Sequence, residues 1–125
     1  LLWRLAVKLC YDLVTNSTMP NRFKIALQEC MQFIEEQAPK GLSKVLLFGS
    51  LARSSITMKS DIDLCLVFED GVEMTSREMR TFRGMLRGAS LAVDIDVVTC
   101  TISQLESNSC LLYQEINRDK IALSS

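Results

Sequence analysis

The chain has 125 residues, 48% of them hydrophobic and 23% charged, which suits one domain with a buried core, spanning 1–125. A formal net charge of −1 and a pI near 5.4 give no overall attraction to nucleic acid or anionic membranes. The chain contains no histidine, which excludes Ser–His and Cys–His nucleophilic pairs, histidine zinc sites and histidine proton shuttles. Acid–base and metal chemistry is left to carboxylates, Lys, Tyr or Cys.

Leu2, Leu5, Ala6, Leu9 and Leu13 recur at helical spacing, so an added amphipathic helix is expected within residues 1–18. Arg4 and Lys8 interrupt this segment too soon for a signal sequence or a membrane span. The chain starts on Leu1 rather than Met, which leaves its natural ends open. Thr18-Met19-Pro20 is a helix start signal, and Phe23, Ala26, Leu27, Cys30, Met31 and Ile34 mark the apolar face of a second helix. A buried strand is expected at about 43–48, a short helix at about 50–55 and a second strand at about 61–68. Thr75 with Glu78 reads as the capping box of a third helix running to Arg87, with Gly88 as its C-terminal cap. From Leu91 to Val98 the pattern alternates, placing Leu91, Val93, Ile95 and Val97 on one face and Asp94 and Asp96 on the other. Ser103 with Glu106 reads as the cap of a last helix to about Asn117, and 121–123 as a short edge strand. The order α-α-β-α-β-α-β-α predicts an α/β (α+β) fold with a small mixed sheet backed by helices.

Two short stretches carry the chemistry. Lys44-Val45-Leu46-Leu47-Phe48 ends in Gly49-Ser50, where a glycine permits close approach of a phosphate and a serine opens a helix whose free N–H groups favour anions. Arg53, one turn on, can reach a phosphate oxygen. No Gly-Lys-Ser/Thr follows, so this is not a Walker A loop. Ten residues after the Gly-Ser comes Asp61-Ile62-Asp63, whose period-2 geometry turns both acids away from the apolar face of Ile62, Leu64, Leu66 and Phe68. If the Asp96 strand is a neighbour, three or four carboxylates converge on one sheet surface. Like charges about 4–5 Å apart repel by a few kcal/mol at an effective dielectric near 20, so such a cluster calls for protons, solvent or a cation. Mg²⁺ suits it, because it takes oxygen ligands and shares them with substrate phosphates.

Leu47-Phe48-Gly49-Ser50-Leu51-Ala52-Arg53, Ser60-Asp61-Ile62-Asp63-Leu64 and Asp96-Val97-Val98-Thr99 together resemble the DNA polymerase beta-like nucleotidyltransferases. The closest likeness is to their minimal nucleotidyltransferases, the branch of the MntA-type antitoxins. The resemblance runs over about 21–123, the expected core, and leaves 1–18 outside it. It implies Asp61 and Asp63 as the metal-binding pair, Asp96 (or Asp94, which faces the same way) as the third carboxylate, and a two-metal Mg²⁺ site. It implies that Gly49 and Ser50 hold the outer phosphates of ATP or another NTP, with Arg53 as an auxiliary contact. The implied activity is transfer of NMP, AMP from ATP foremost, to an acceptor hydroxyl such as a tyrosine of a HEPN-domain toxin. Alternatives are a non-catalytic antitoxin acting by occlusion, transfer to a small molecule or RNA end, and a glycosyltransferase using Asp-x-Asp. Ser54-Ser55 departs from the Gly that often follows Ala-Arg in the family.

Arg77, Arg80, Arg83 and Arg87 share about a third of the third helix's circumference, either a solvated face or a docking stripe for an acidic partner or RNA. Tyr11 and Tyr113 read as packing residues, and Trp3 with its leucines as a cover for the core or an interface with a partner or a second copy. Five cysteines, Cys10, Cys30, Cys65, Cys100 and Cys110, form no C-x-x-C pair and read as reduced, buried thiols of a cytoplasmic protein.

Overall fold

A computed structural model describes residues 19–124. The helix expected at the start of the chain, with Trp3, Cys10 and Tyr11, lies outside the described residues. The apolar run before Gly49 forms β1 (Leu42–Phe48), and Val45, Leu46, Leu47 and Phe48 are buried on both of its faces. Two-sided burial is what a continuous apolar run demands, and it requires a sheet sandwiched between helices. β1 pairs antiparallel with β2 (Ile62–Phe68), which pairs parallel with β3 (Ile95–Thr101); β4 (Ile121–Ser124) joins the other edge of β1, giving the order β3-β2-β1-β4.

α1 (Asn21–Gln37) and α3 (Arg77–Arg87) lie over one face. Phe23, Leu27, Cys30 and Ile34 from α1 and Met79, Phe82 and Leu86 from α3 pack on Val45, Leu47, Leu64, Leu66, Ile95 and Val97. Phe33 and Phe82 stack across this junction, ring centroids 5.8 Å apart. A second cluster of Leu46, Phe48, Cys65, Val67 and Cys100 lies under α4 (Ile102–Glu106) and α5 (Leu111–Asp119) through Leu105 and Ile116. α2 (Gly49–Ala52) is a single turn between β1 and the loop to β2. Among the described residues no helix is long and apolar enough to cross a membrane.

Several local expectations shift. The N-cap of α3 is Ser76, whose hydroxyl accepts from Met79 N at 3.1 Å, while Thr75 donates to Glu73. The capping box after β3 is Thr101 with Gln104, two residues ahead of its expected place. Ser103 instead donates its N–H (3.0 Å) and hydroxyl to Asp70, holding that carboxyl below the usual range. The expected last helix is two, broken at 107–110. At both caps the candidate hydroxyls stand one or two residues apart, and Thr101 is also the last residue of β3. Leu91 is fully exposed and β3 starts only at Ile95, so Asp94 precedes the strand. Arg83 leaves the solvated stripe: it donates to Met74 O at 2.9 Å and Thr99 Oγ1 at 2.7 Å, tying α3 to β3, while Arg77, Arg80 and Arg87 stay exposed. Cys30, Cys65 and Cys100 are buried free thiols, but Cys110 is exposed.

Candidate active site

β1 hands the chain to α2 through Gly49, whose φ of +74° lies in the left-handed region. A Cβ at this position would stand 3.0 Å from Asp63 Cγ and would run into its Oδ2. The glycine is therefore demanded by the carboxylate beside it, independently of any phosphate. The β1–β2 register explains the approach: Phe48 is the partner of Asp63, so the turn after Phe48 passes over the Asp63 side chain.

The loop back to β2 is closed by a backbone carbonyl and by its own hydroxyls. Ser55 N donates to Ser50 O at 2.9 Å, Thr57 N to Ser60 Oγ at 2.8 Å, and Lys59 N to Thr57 Oγ1 at 3.2 Å. This fixes Lys59 and Asp61 at the rim of an open cavity of about 370 Å³ that Gly49, Ser50, Arg53, Asp63 and Glu115 also line.

Parallel pairing of β2 with β3 sets Ile62 against Ile95 and Asp63 against Asp96. With neighbouring strands about 4.8 Å apart, the two carboxylates share one face of the sheet. Burial pushes the Asp63 carboxyl up to about 7, helped by Asp96 (its charge and a hydrogen bond), then by Asp61 and Glu115. Asp61 is raised too, by desolvation, then Asp96 and Asp94. The strands are thus neighbours, and the acids expected to crowd do so. Asp94 lines a second cavity, where it meets Asp61 but not Asp63.

Arg53 lines the cavity but is engaged: its Nη1 donates to Asp119 Oδ2 at 2.6 Å and lies 3.8 Å from Glu115 Oε1. Asp119, its side chain only 3% exposed, also accepts from Arg118 Nε at 2.9 Å, and the two arginines hold its carboxyl below the usual range. Glu115, Asp119 and Lys59 are the site residues that the sequence pattern does not single out. Arg53 and Asp119 are 66 positions apart, and no local signal joins them.

Among the described residues no group of three or more Cys, Asp or Glu side chains forms a ready-made metal cage. The oxygen-only donor set of Asp61, Asp63 and Asp96 nonetheless fits a hard divalent cation. Mg²⁺ is commonly held by one or two carboxylates with substrate phosphates rather than by an all-protein cage.

A Gly-Ser turn overhanging a carboxylate pair, on a sheet with helices on both faces, is the architecture of a nucleotidyltransferase. The chain belongs to the nucleotidyltransferase domain family, whose model matches residues 27–121, from within α1 to the first residue of β4. It is similar to the crystal structure of a toxin–antitoxin with AMP-PNP, at 26% identity and a TM-score of 0.55, over 77% of this chain and 70% of that one. A mutant of the toxin–antitoxin MntA–HpeT is similar at 26% identity and a TM-score of 0.52, over 76% and 68%. A candidate nucleotidyltransferase from Sulfolobus solfataricus shares the fold at 19% identity and a TM-score of 0.54, over 85% and 88%. No match to a curated protein was found.

Proposed function

We propose that the chain is a Mg²⁺-dependent adenylyltransferase that moves AMP from ATP to a hydroxyl of a protein partner. In this reading it is the cytoplasmic antitoxin of a toxin–antitoxin pair, and the acceptor is a tyrosine of a HEPN-type toxin. The observation that carries the chemistry is the juxtaposition of Asp63, its strand partner Asp96 and the bare Cα of Gly49. The biological role is supported by the likeness to toxin–antitoxin structures, one of them with an ATP analogue.

When bound, the divalent cations would neutralise the triphosphate and sharpen the acceptor hydroxyl as a nucleophile. Asp61 and Asp63 are the residues to hold them, with Asp96 as the third ligand. Gly49 and Ser50 seat the outer phosphates at the open cavity. Arg53 joins them by leaving Asp119, and Arg118 keeps that nearly buried carboxylate paired. Asp96 orients the acceptor hydroxyl and draws off its proton. The acceptor oxygen bonds to the α-phosphorus as the bond to the β-phosphate oxygen breaks, and pyrophosphate leaves. Positioning and charge supply most of the acceleration such a displacement needs.

Asp61→Asn separates transfer from mere occlusion. With the cognate toxin, the variant should still form the complex yet lose AMP transfer and neutralisation together. Full neutralisation by Asp61→Asn would instead assign the chain to a non-catalytic antitoxin.

A further inference from the structure

A second cavity, of about 480 Å³, adjoins the first at Lys59, Ser60 and Asp61. It opens between the start of α1, the 57–60 turn and the α3–β3 connection, and Arg22, Arg87, Met58, Leu91 and Asp94 line it. In-line displacement requires the attacking hydroxyl opposite the leaving pyrophosphate. With pyrophosphate over Gly49 and Ser50, the incoming group reaches the α-phosphorus from the far side of Asp61, where this second cavity lies.

Its chemistry narrows what enters. Arg22, Lys59 and Arg87 bring three cations against two carboxylates, Asp61 and Asp94, and a cation bound at Asp61 would leave the rim strongly positive. Arg22 is pre-oriented: its Nη2 lies 3.5 Å from Thr57 O and Met58 O, and its guanidinium stands 4.6 Å above the Phe23 ring. Among the described residues neither Lys59 nor Arg87 forms a salt bridge. A nucleoside carries no anion for these groups, so the cavity is poorly matched to the base and sugar of ATP. The rim also carries Met58 and Leu91, the two most exposed large hydrophobic side chains among the described residues. Among the described residues no aromatic ring lines it, and so none of them offers the stacking platform that single-stranded nucleic acid uses.

We infer that this cavity is the acceptor seat and that the acceptor is a polypeptide hydroxyl flanked by carboxylates and an aliphatic residue. The inference rests on the transfer reading above and adds the charge and class of the segment presented. Arg22 and Arg87 grip the flanking carboxylates, and Met58 and Leu91 close on the aliphatic neighbour.

The test uses the full chain with Mg²⁺ and a non-hydrolysable ATP analogue, and fluorescein-labelled tyrosine peptides flanked by Glu-Leu or by Lys-Leu. Polarisation should show the glutamate peptide binding at least ~10-fold tighter than its lysine counterpart, with affinity falling as salt rises. Arg22→Glu with Arg87→Glu should erase that preference, and Arg22→Gln with Arg87→Gln should weaken it, while affinity for the ATP analogue holds. Equal binding of both peptides, or a preference that survives the double reversal, overturns the assignment. So does an RNA oligonucleotide that displaces the peptide and is itself lost on reversal. If the acidic peptide needs Arg22 and Arg87 but no AMP is ever transferred from ATP, the transfer reading fails while the seat stands. Transfer that ignores peptide charge has the opposite meaning.

Discussion

Gly49→Ala is the sharpest test of the site, because two costs fall at one atom and Gly71 provides a control for one of them. Both glycines have positive φ, +74° at Gly49 and +97° at Gly71, but a Cβ at Gly71 meets nothing within 4 Å. Left-handed backbone costs an L-residue about 1–2 kcal/mol, offset by about 0.4–1 kcal/mol from the stiffer unfolded chain. Gly71→Ala should therefore lose about 1 kcal/mol or less and keep full activity. Gly49→Ala adds the collision with Asp63, an overpacking term of about 1–3 kcal/mol, for a total of about 1–4 kcal/mol. Relief requires the Asp63 carboxylate to move by about 1 Å, and a displacement of that size costs on the order of 10²-fold in rate. Urea unfolding and AMP transfer to the cognate partner measure the two effects. In an Asp63→Ala background most of the extra cost of Gly49→Ala should vanish, since Cγ and Oδ2 of Asp63 are gone and only its Cβ, 3.3 Å from the new one, remains. If Gly49→Ala behaves like Gly71→Ala in both assays, or if its cost persists without the Asp63 side chain, the proposed packing of turn against carboxylate is wrong.

The Asp63 carboxyl, held near 7 against an ordinary 3.8, binds its proton more tightly in the folded chain. The native state therefore carries extra protons between about pH 4 and 7, and stability falls as pH rises through that window, by about 1–2 kcal/mol after solvent screening of this partly buried group. Asp63→Asn should flatten the fall and be the more stable form at pH 8 without metal; an equally steep profile in that variant would assign the proton elsewhere. Arg83→Ala should cost about 1–3 kcal/mol through its bonds to Met74 O and Thr99 Oγ1, whereas Arg80→Ala should stay within about 0.5 kcal/mol. Similar losses in both, read by thermal unfolding, would return Arg83 to the solvated stripe. A thiol reagent should modify Cys110 well ahead of Cys30, Cys65 and Cys100, since burial pushes the Cys30 thiol up to about 12 and encloses the others. Mass spectrometry of the labelled peptides checks the order, and early loss of Cys65 or Cys100 would contradict the packing of the second sheet face.

The apolar spacing in Phe23–Ile34, the two-faced run Val45–Phe48, and the Gly-Ser and Asp-x-Asp stretches determined by themselves the buried face of α1, the strands β1 and β2 and the turn between them. These are local properties: side-chain periodicity and turn chemistry act within a few residues, so a one-dimensional pattern carries them. The choice of cap between the nearby hydroxyls of Thr101 and Ser103 already coincides with where β3 ends. Only the tertiary structure decided that β3 runs parallel beside β2, which sets Asp96 rather than Asp94 opposite Asp63. It alone drew Arg53 onto Asp119 and brought Glu115 to the cavity, across more than sixty residues of chain. It also withdrew Arg83 from its basic face to bridge a helix and a strand. Register and long-range ion pairs arise from the packing of whole elements, and the energies that choose them are spread over contacts that no short stretch of sequence contains.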